Sequence, residues 1–175
     1  MKKKFLLLFM LVCISVFAFR VLSVSAYTGT RYKNSLLFYE ESNSGVTITD
    51  CYQGAQKIEI PETINEKPVT KIGYCAFLNC TELTDVAIPN SVTSIDSSAF
   101  SQCTKLTVIT LPSSVETIGY SAFSQCSNLT TITISGNIGT YAFSSCRKLS
   151  NVTMLNTVTS IGKDAFASSE ITHIT

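Results

Sequence analysis

The chain has 175 residues, with 13 basic and 12 acidic side chains and a formal net charge of +1. So balanced a chain offers no electrostatic case for binding nucleic acid. Its length fits one domain.

Residues 1–26 read as an export signal. Lys2, Lys3 and Lys4 precede an uncharged, mostly apolar run from Phe5 to Phe19. Arg20 closes the run, and Val24-Ser25-Ala26 supplies small residues for cleavage. The run is short for a membrane span. An uncleaved anchor is the alternative reading. Lipidation at Cys13 is disfavoured by Val12 before it and by its early place in the run. Cleavage would leave Tyr27–Thr175, with nine basic and twelve acidic side chains, so a net charge of −3. No second apolar run of membrane length follows, so no span is expected in the exported chain.

Residues 27–44 form a lead-in, and residues 45–175 a repeat domain with an incomplete last unit. Val69 to Cys80, Val92 to Cys103 and Val115 to Cys126 align residue for residue. Phenylalanine recurs at Phe77, Phe100, Phe123, Phe143 and Phe166, in steps of 23, 23, 20 and 23. A fixed period of this length marks a solenoid. Each unit contains Leu-x-x-Φ-x-Φ, with Φ aliphatic, as in Leu83 to Ile88, Leu106 to Leu111, Leu129 to Ile134 and Leu149 to Met154. That is a short strand with one buried face, stopped by Pro89 and Pro112 in two units. A second alternation follows at Val92/Ile95, Val115/Ile118 and Val158/Ile161. No unit has the length a long helix needs. The expected fold is therefore mainly β: a solenoid of about five coils, each two short strands and a turn, with Phe77, Phe100, Phe123, Phe143 and Phe166 in one buried column.

The run Ile-Pro-x-Ser-Val-x-x-Ile-x-x-x-Ala-Phe-x-x-Cys-x-x-Leu, complete at Ile88–Leu106 and opened by leucine at Leu111–Leu129, resembles the BspA-like class of leucine-rich repeat. That class is found in cell-surface and secreted proteins of bacteria and some protozoa. The resemblance implies a leucine-rich repeat solenoid that is secreted or displayed, is not an enzyme, and acts in adhesion. Its partners would be proteins or glycans, such as host matrix or another cell surface. A passive spacer is the alternative, or a fragment whose functional or anchoring domain lies beyond residue 175.

Three departures stand out. Ser135 to Gly139 shortens one unit, the short step between Phe123 and Phe143, which predicts a tighter turn or a kink. Ser169 takes the place of a cysteine, and Ile171 and Ile174 come one residue early.

Cys80, Cys103, Cys126 and Cys146 share one repeat position and are expected as a ladder of buried, reduced thiols. Cys51 and Cys75 lie outside it by spacing, and a Cys51–Cys75 or Cys75–Cys80 bridge stays open. The spacings are repeat spacings, not those of a structural zinc motif. His173 is the only histidine, near the chain end, and no serine stands out as a nucleophile. No catalytic, metal or cofactor site is expected. The asparagines of three glycosylation triplets, Asn79, Asn128 and Asn151, follow from the repeat consensus. The one candidate surface is a strip of outward positions in Leu-x-x-Φ-x-Φ: Asp85, Ala87, Val108, Thr110, Thr131, Thr133, Asn151 and Thr153. Side by side on a sheet they would make a flat, threonine-rich face crossing four coils.

Overall fold

The computed structural model describes residues 30–31 and 36–175. The expected signal at 1–26 and its cleavage site lie outside them. Among the described residues the structure is strand and turn, with no helix. Among these residues, therefore, no helix is long and apolar enough to cross a membrane.

The chain starts with an antiparallel meander of β1 (Thr30–Arg31), β2 (Leu37–Ser42) and β3 (Gly45–Cys51). Leu37 and Tyr39 of β2 are buried, so this part of the 27–44 segment closes the first coil rather than merely leading into it. Next come β4 (Lys57–Glu59), β5 (Thr63–Ile64) and β6 (Lys67–Ile72). β5 and β6 form a hairpin through Asn65 and Glu66, both at positive φ, the twist that suits a two-residue connection.

The repeats then alternate two kinds of strand. β7 (Asp85–Ala87), β9 (Val108–Thr110), β11 (Thr131–Ile134) and β13 (Asn151–Met154) come from Leu-x-x-Φ-x-Φ. β8 (Ser94–Ile95), β10 (Thr117–Ile118) and β12 (Asn137–Ile138) come from the second alternation. β14 (His173–Ile174) ends the series. From β3 onward, β6, β8, β10 and β12 extend one sheet in parallel. β9, β11, β13 and β14 make a second parallel sheet, and β4 pairs β7 in a third. The two faces explain themselves locally. Val86, Ile109, Ile132 and Val152 point in and are buried, while their neighbours point out.

The third side of each coil is the turn x-Ala-Phe-x-x-Cys. Two residues per coil adopt left-handed backbone: Cys75 and Asn79, Ser98 and Gln102, Ser121 and Gln125, Tyr141 and Ser145, Asp164 and Ser168. That conformation costs roughly 1–2 kcal/mol per non-glycine residue and prevents a helix. Hydrogen bonds between coils offset it. The N–H groups of Cys75, Phe77 and Asn79 donate to the carbonyls of Ser97, Ala99 and Ser101. The same three bonds recur at each later boundary, and the earlier coil is always the donor.

Inside the turns the phenylalanine rings stack nearly parallel, with centroids 4.7–5.2 Å apart. Phe77, Phe100, Phe123 and Phe143 are fully buried. Phe166, expected in the same buried column, is only half-buried, because it caps the stack and no later coil covers it among the described residues. Burying each full ring contributes roughly 1.5–3 kcal/mol.

The shortened unit is a tight turn. Ile134 and Ile138 stay buried with three fewer residues between them than Leu111 and Ile118 have. Ser135, itself buried, donates its Oγ–H to the Pro112 carbonyl at 3.0 Å. Gly136 sits at φ +69°, where a Cβ would lie 2.3 Å from the Glu116 carbonyl.

Candidate functional site

The strip residues lie where their alternation puts them. Asp85 and Ala87 are on β7, Val108 and Thr110 on β9, Thr131 and Thr133 on β11, Asn151 and Thr153 on β13. Seven are exposed and Thr133 is half-buried. Three of the four rows are in register: Thr131 pairs with Val108 and Asn151, Thr133 with Thr110 and Thr153. His173 extends the outer row opposite Asn151.

The fourth row is not joined to them, which corrects the expectation of one unbroken strip. β7 belongs to the two-stranded sheet with β4, and β9 starts the next sheet. Between them opens a groove of about 660 Å³ lined by Asp85, Ala87, Val108, Thr110, Lys57 and Asn90, among others. At the same boundary, on the turn side, Phe77 and Phe100 lie 4.7 Å apart, the shortest spacing in the column, against 5.1–5.2 Å elsewhere. Lys105 and Glu82 bridge the two coils at 2.8 Å on the surface.

β4 lengthens the face by a row the repeat pattern did not include. Lys57 pairs in register with Asp85 and Glu59 with Ala87. The Lys57–Asp85 ion pair is loose, at 4.0 Å, and both side chains are largely exposed, so it adds little stability. The signal for this row was Ile58-Glu59-Ile60, an alternation ahead of the first full unit.

Cys80, Cys103, Cys126 and Cys146 are fully buried, and all six described cysteines are unpaired. The thiols of Cys103, Cys126 and Cys146 each donate to the phenylalanine carbonyl of the preceding coil, Phe77, Phe100 and Phe123, at 3.1 Å. Contrary to its spacing, Cys51 joins the ladder. It is buried and its thiol meets that of Cys80, which with burial pushes its pKa up. Burial pushes Cys146 up to about 12. These thiols are buried away from solvent, the reverse of what a nucleophile or metal ligand needs. Cys75 is half-buried beside Tyr74. At Ser169 the hydroxyl bonds to Phe166 of its own coil instead of reaching back to the coil before.

His173 is exposed on β14 and touches Thr172. Among the described residues no group of three or more histidines, cysteines and carboxylates is placed to hold a metal. What the arrangement offers is a long, regular surface with a groove between β7 and β9.

No curated protein matches the chain. Among solved structures it is similar to a leucine-rich cell surface protein from Faecalibacterium prausnitzii A2-165, with 29% identity and a TM-score of 0.61, over 83% of this chain and 50% of that one. It shares its fold with the pneumococcal vaccine antigen PcpA, with 17% identity and a TM-score of 0.50, over 83% of this chain and 49% of that one. The chain thus spans about half the length of each. The family model of the BspA type leucine-rich repeat region matches residues 49–172 in six copies. That is one copy more than the five coils counted from the phenylalanines, and the structure has the turn around Cys51 as a further coil. The chain belongs to the family of BspA type leucine-rich repeat regions.

Proposed function

We propose that this chain is an exported, surface-displayed adhesion module that docks protein partners on its strand face, centred on the groove between β7 and β9. The observation that carries the reading is the groove itself. It interrupts an otherwise flat face, and the exposed Val108 side chain, 52% accessible, stands at its edge beside threonines and an ion pair. The backbone beneath is pinned by the ladders, so a partner meets it without loop ordering, which lowers the entropic cost of association. Few charges on the face imply weak steering and little salt dependence. Each contact is then modest, and many copies on one surface supply the avidity.

The test places arginines at Thr110 and Thr133. Both side chains leave the sheet, so the fold should persist. Beads carrying the double variant should bind immobilised matrix proteins at least about tenfold more weakly than beads carrying the parent. Equal binding would remove the strand face as the site and leave the repeats as a spacer. Export is tested separately: secreted material should begin at Tyr27, and retention of Met1 would favour a membrane anchor.

A further inference from the structure

The turn side of the solenoid carries exposed aromatic rings. Tyr74 and Tyr120 are 69% and 54% exposed, although every phenylalanine of the first four turns is fully buried. They hold the same repeat position two coils apart, with Ser97 between them: Cys75 donates to the Ser97 carbonyl, and Ser98 to the Tyr120 carbonyl. Tyr141, on the next coil, meets Tyr120 edge-on, with centroids 5.8 Å apart and planes at 83°. The Asp164 carboxylate beside Tyr141 pushes its hydroxyl pKa up.

Around Tyr74 and Tyr120 the turn residues are neutral and polar. Turn positions 74–79, 97–102, 120–125 and 140–145 contain no charged residue. They present hydroxyls from Ser97, Ser98, Ser121 and Thr140, and an amide row from Asn79, Gln102 and Gln125. The coils advance by 4.7–5.2 Å along the neighbouring phenylalanine column. That is close to the advance of one pyranose ring in an extended chain.

From this we infer that the turn face is a second binding site, distinct from the strand face, for a neutral linear glycan. Sugar rings have apolar C–H faces, which stack on Tyr74 and Tyr120. Their rims of hydroxyls both donate and accept, and so match serines and amides. The two rings lie two coil steps apart, so one sugar spans the Ser97 row between two stacked ones. Tyr141, edge-on to Tyr120, bounds the row on the next coil. An anionic partner, whether nucleic acid or acidic lipid, finds no cation on these turns before Lys163. A protein partner would want clustered anchors in a packed, dry centre. Here Tyr74 stands two coils from Tyr120, with the small polar Ser97 between them, and the turn backbone under them is hydrogen-bonded from coil to coil.

The probes are hexasaccharides of β-1,4-linked glucose and of β-1,4-linked N-acetylglucosamine, with an α-1,4-linked glucose hexamer as the bent control. Tyrosine ring signals in NMR spectra of the purified chain report binding directly. At least one extended hexasaccharide should shift the signals of Tyr74 and Tyr120, with Kd on the order of 0.1–1 mM, as a few stacked rings allow. Tyr74→Ala and Tyr120→Ala should each weaken binding by about three- to tenfold, and the pair should abolish it. Tyr120→Phe should keep it, because the ring face does the stacking. The Thr110→Arg, Thr133→Arg protein should bind the sugar as the parent does, which separates this site from the strand face. Both tyrosines are exposed, so unchanged thermal unfolding of the variants excludes misfolding. Failure of both extended hexasaccharides to move the tyrosine signals overturns the inference. So does undiminished binding by the Tyr74→Ala, Tyr120→Ala protein.

Discussion

The ring of Phe77 lies 4.7 Å from that of Phe100 and nearly parallel to it, at 8°. At this one boundary the strands on the opposite side part into separate sheets. Phe100 is fully buried between its two stacked neighbours. Phe100→Ala should destabilise the chain by about 3–5 kcal/mol, the range for emptying a buried ring. Urea unfolding measures this, and a loss under about 1 kcal/mol would mean that the column is not what holds the coils together.

Gly136→Ala should be harsher than an ordinary surface change. The added Cβ meets the backbone of the coil below at 2.3 Å, and the residue must keep φ +69°. A loss of about 2–4 kcal/mol is expected, since strain and clash add. Gly54→Ala is the control. Its Cβ meets only the ring of the exposed Tyr52, which can swing away, so the loss should stay within about 1 kcal/mol.

Burial raises the Asp50 carboxyl to about 6, although its Oδ1 accepts the Cys51 N–H at 2.7 Å. The folded state thus takes up a proton before the unfolded state does. Between pH 4 and 6 stability should fall as pH rises, and the penalty is complete above the folded value. The carboxyl is partly solvated, so its size should be about 1–2 kcal/mol at most. Asp50→Asn keeps the acceptor and removes the charge. Urea midpoints should show it more stable than the parent at pH 7 and equal to it at pH 4. A variant no better than the parent at pH 7 would contradict this.

Thiol labelling should separate the cysteines. Cys75, half-buried, should react in the folded protein before any of Cys51, Cys80, Cys103, Cys126 and Cys146. Those five should label only on unfolding, and without reductant. Mass spectrometry showing two stoichiometric bridges among them would overturn the reduced column.

Most of the fold was legible because this repeat writes its core at fixed places. Ala-Phe-x-x-Cys marks the turn, and Leu-x-x-Φ-x-Φ marks the strand. The misreadings come from positions where spacing and contact diverge. The step from Cys51 to Cys80 is longer than any step within the ladder, because the β5–β6 hairpin lengthens that coil. The period therefore hid a thiol that stacks in space. The break between β7 and β9 leaves no trace in sequence. Phe77 to Phe100 and Phe100 to Phe123 are equal steps along the chain, yet the strands pair across the second boundary and not across the first. Phe166 has the right repeat position but lacks a covering coil. Tyr74 and Tyr120 were visible as Gly-Tyr pairs. Their column reads Tyr74, Ser97, Tyr120, Thr140 and Lys163, and periodicity favours positions that stay constant over positions that vary.

The one-way donation along the turns gives the stack a vector. Among the described residues, the N–H groups of Asp164, Phe166 and Ser168 close the series with no acceptor. These three N–H groups make no backbone hydrogen bonds to the same turn of a second copy, because donor would meet donor. Whatever seats itself there must offer carbonyl or carboxylate oxygens at alternate residues, as the next coil of such a repeat does. The turn side of the stack therefore has a direction, and a coil laid against it makes these three bonds in one orientation only.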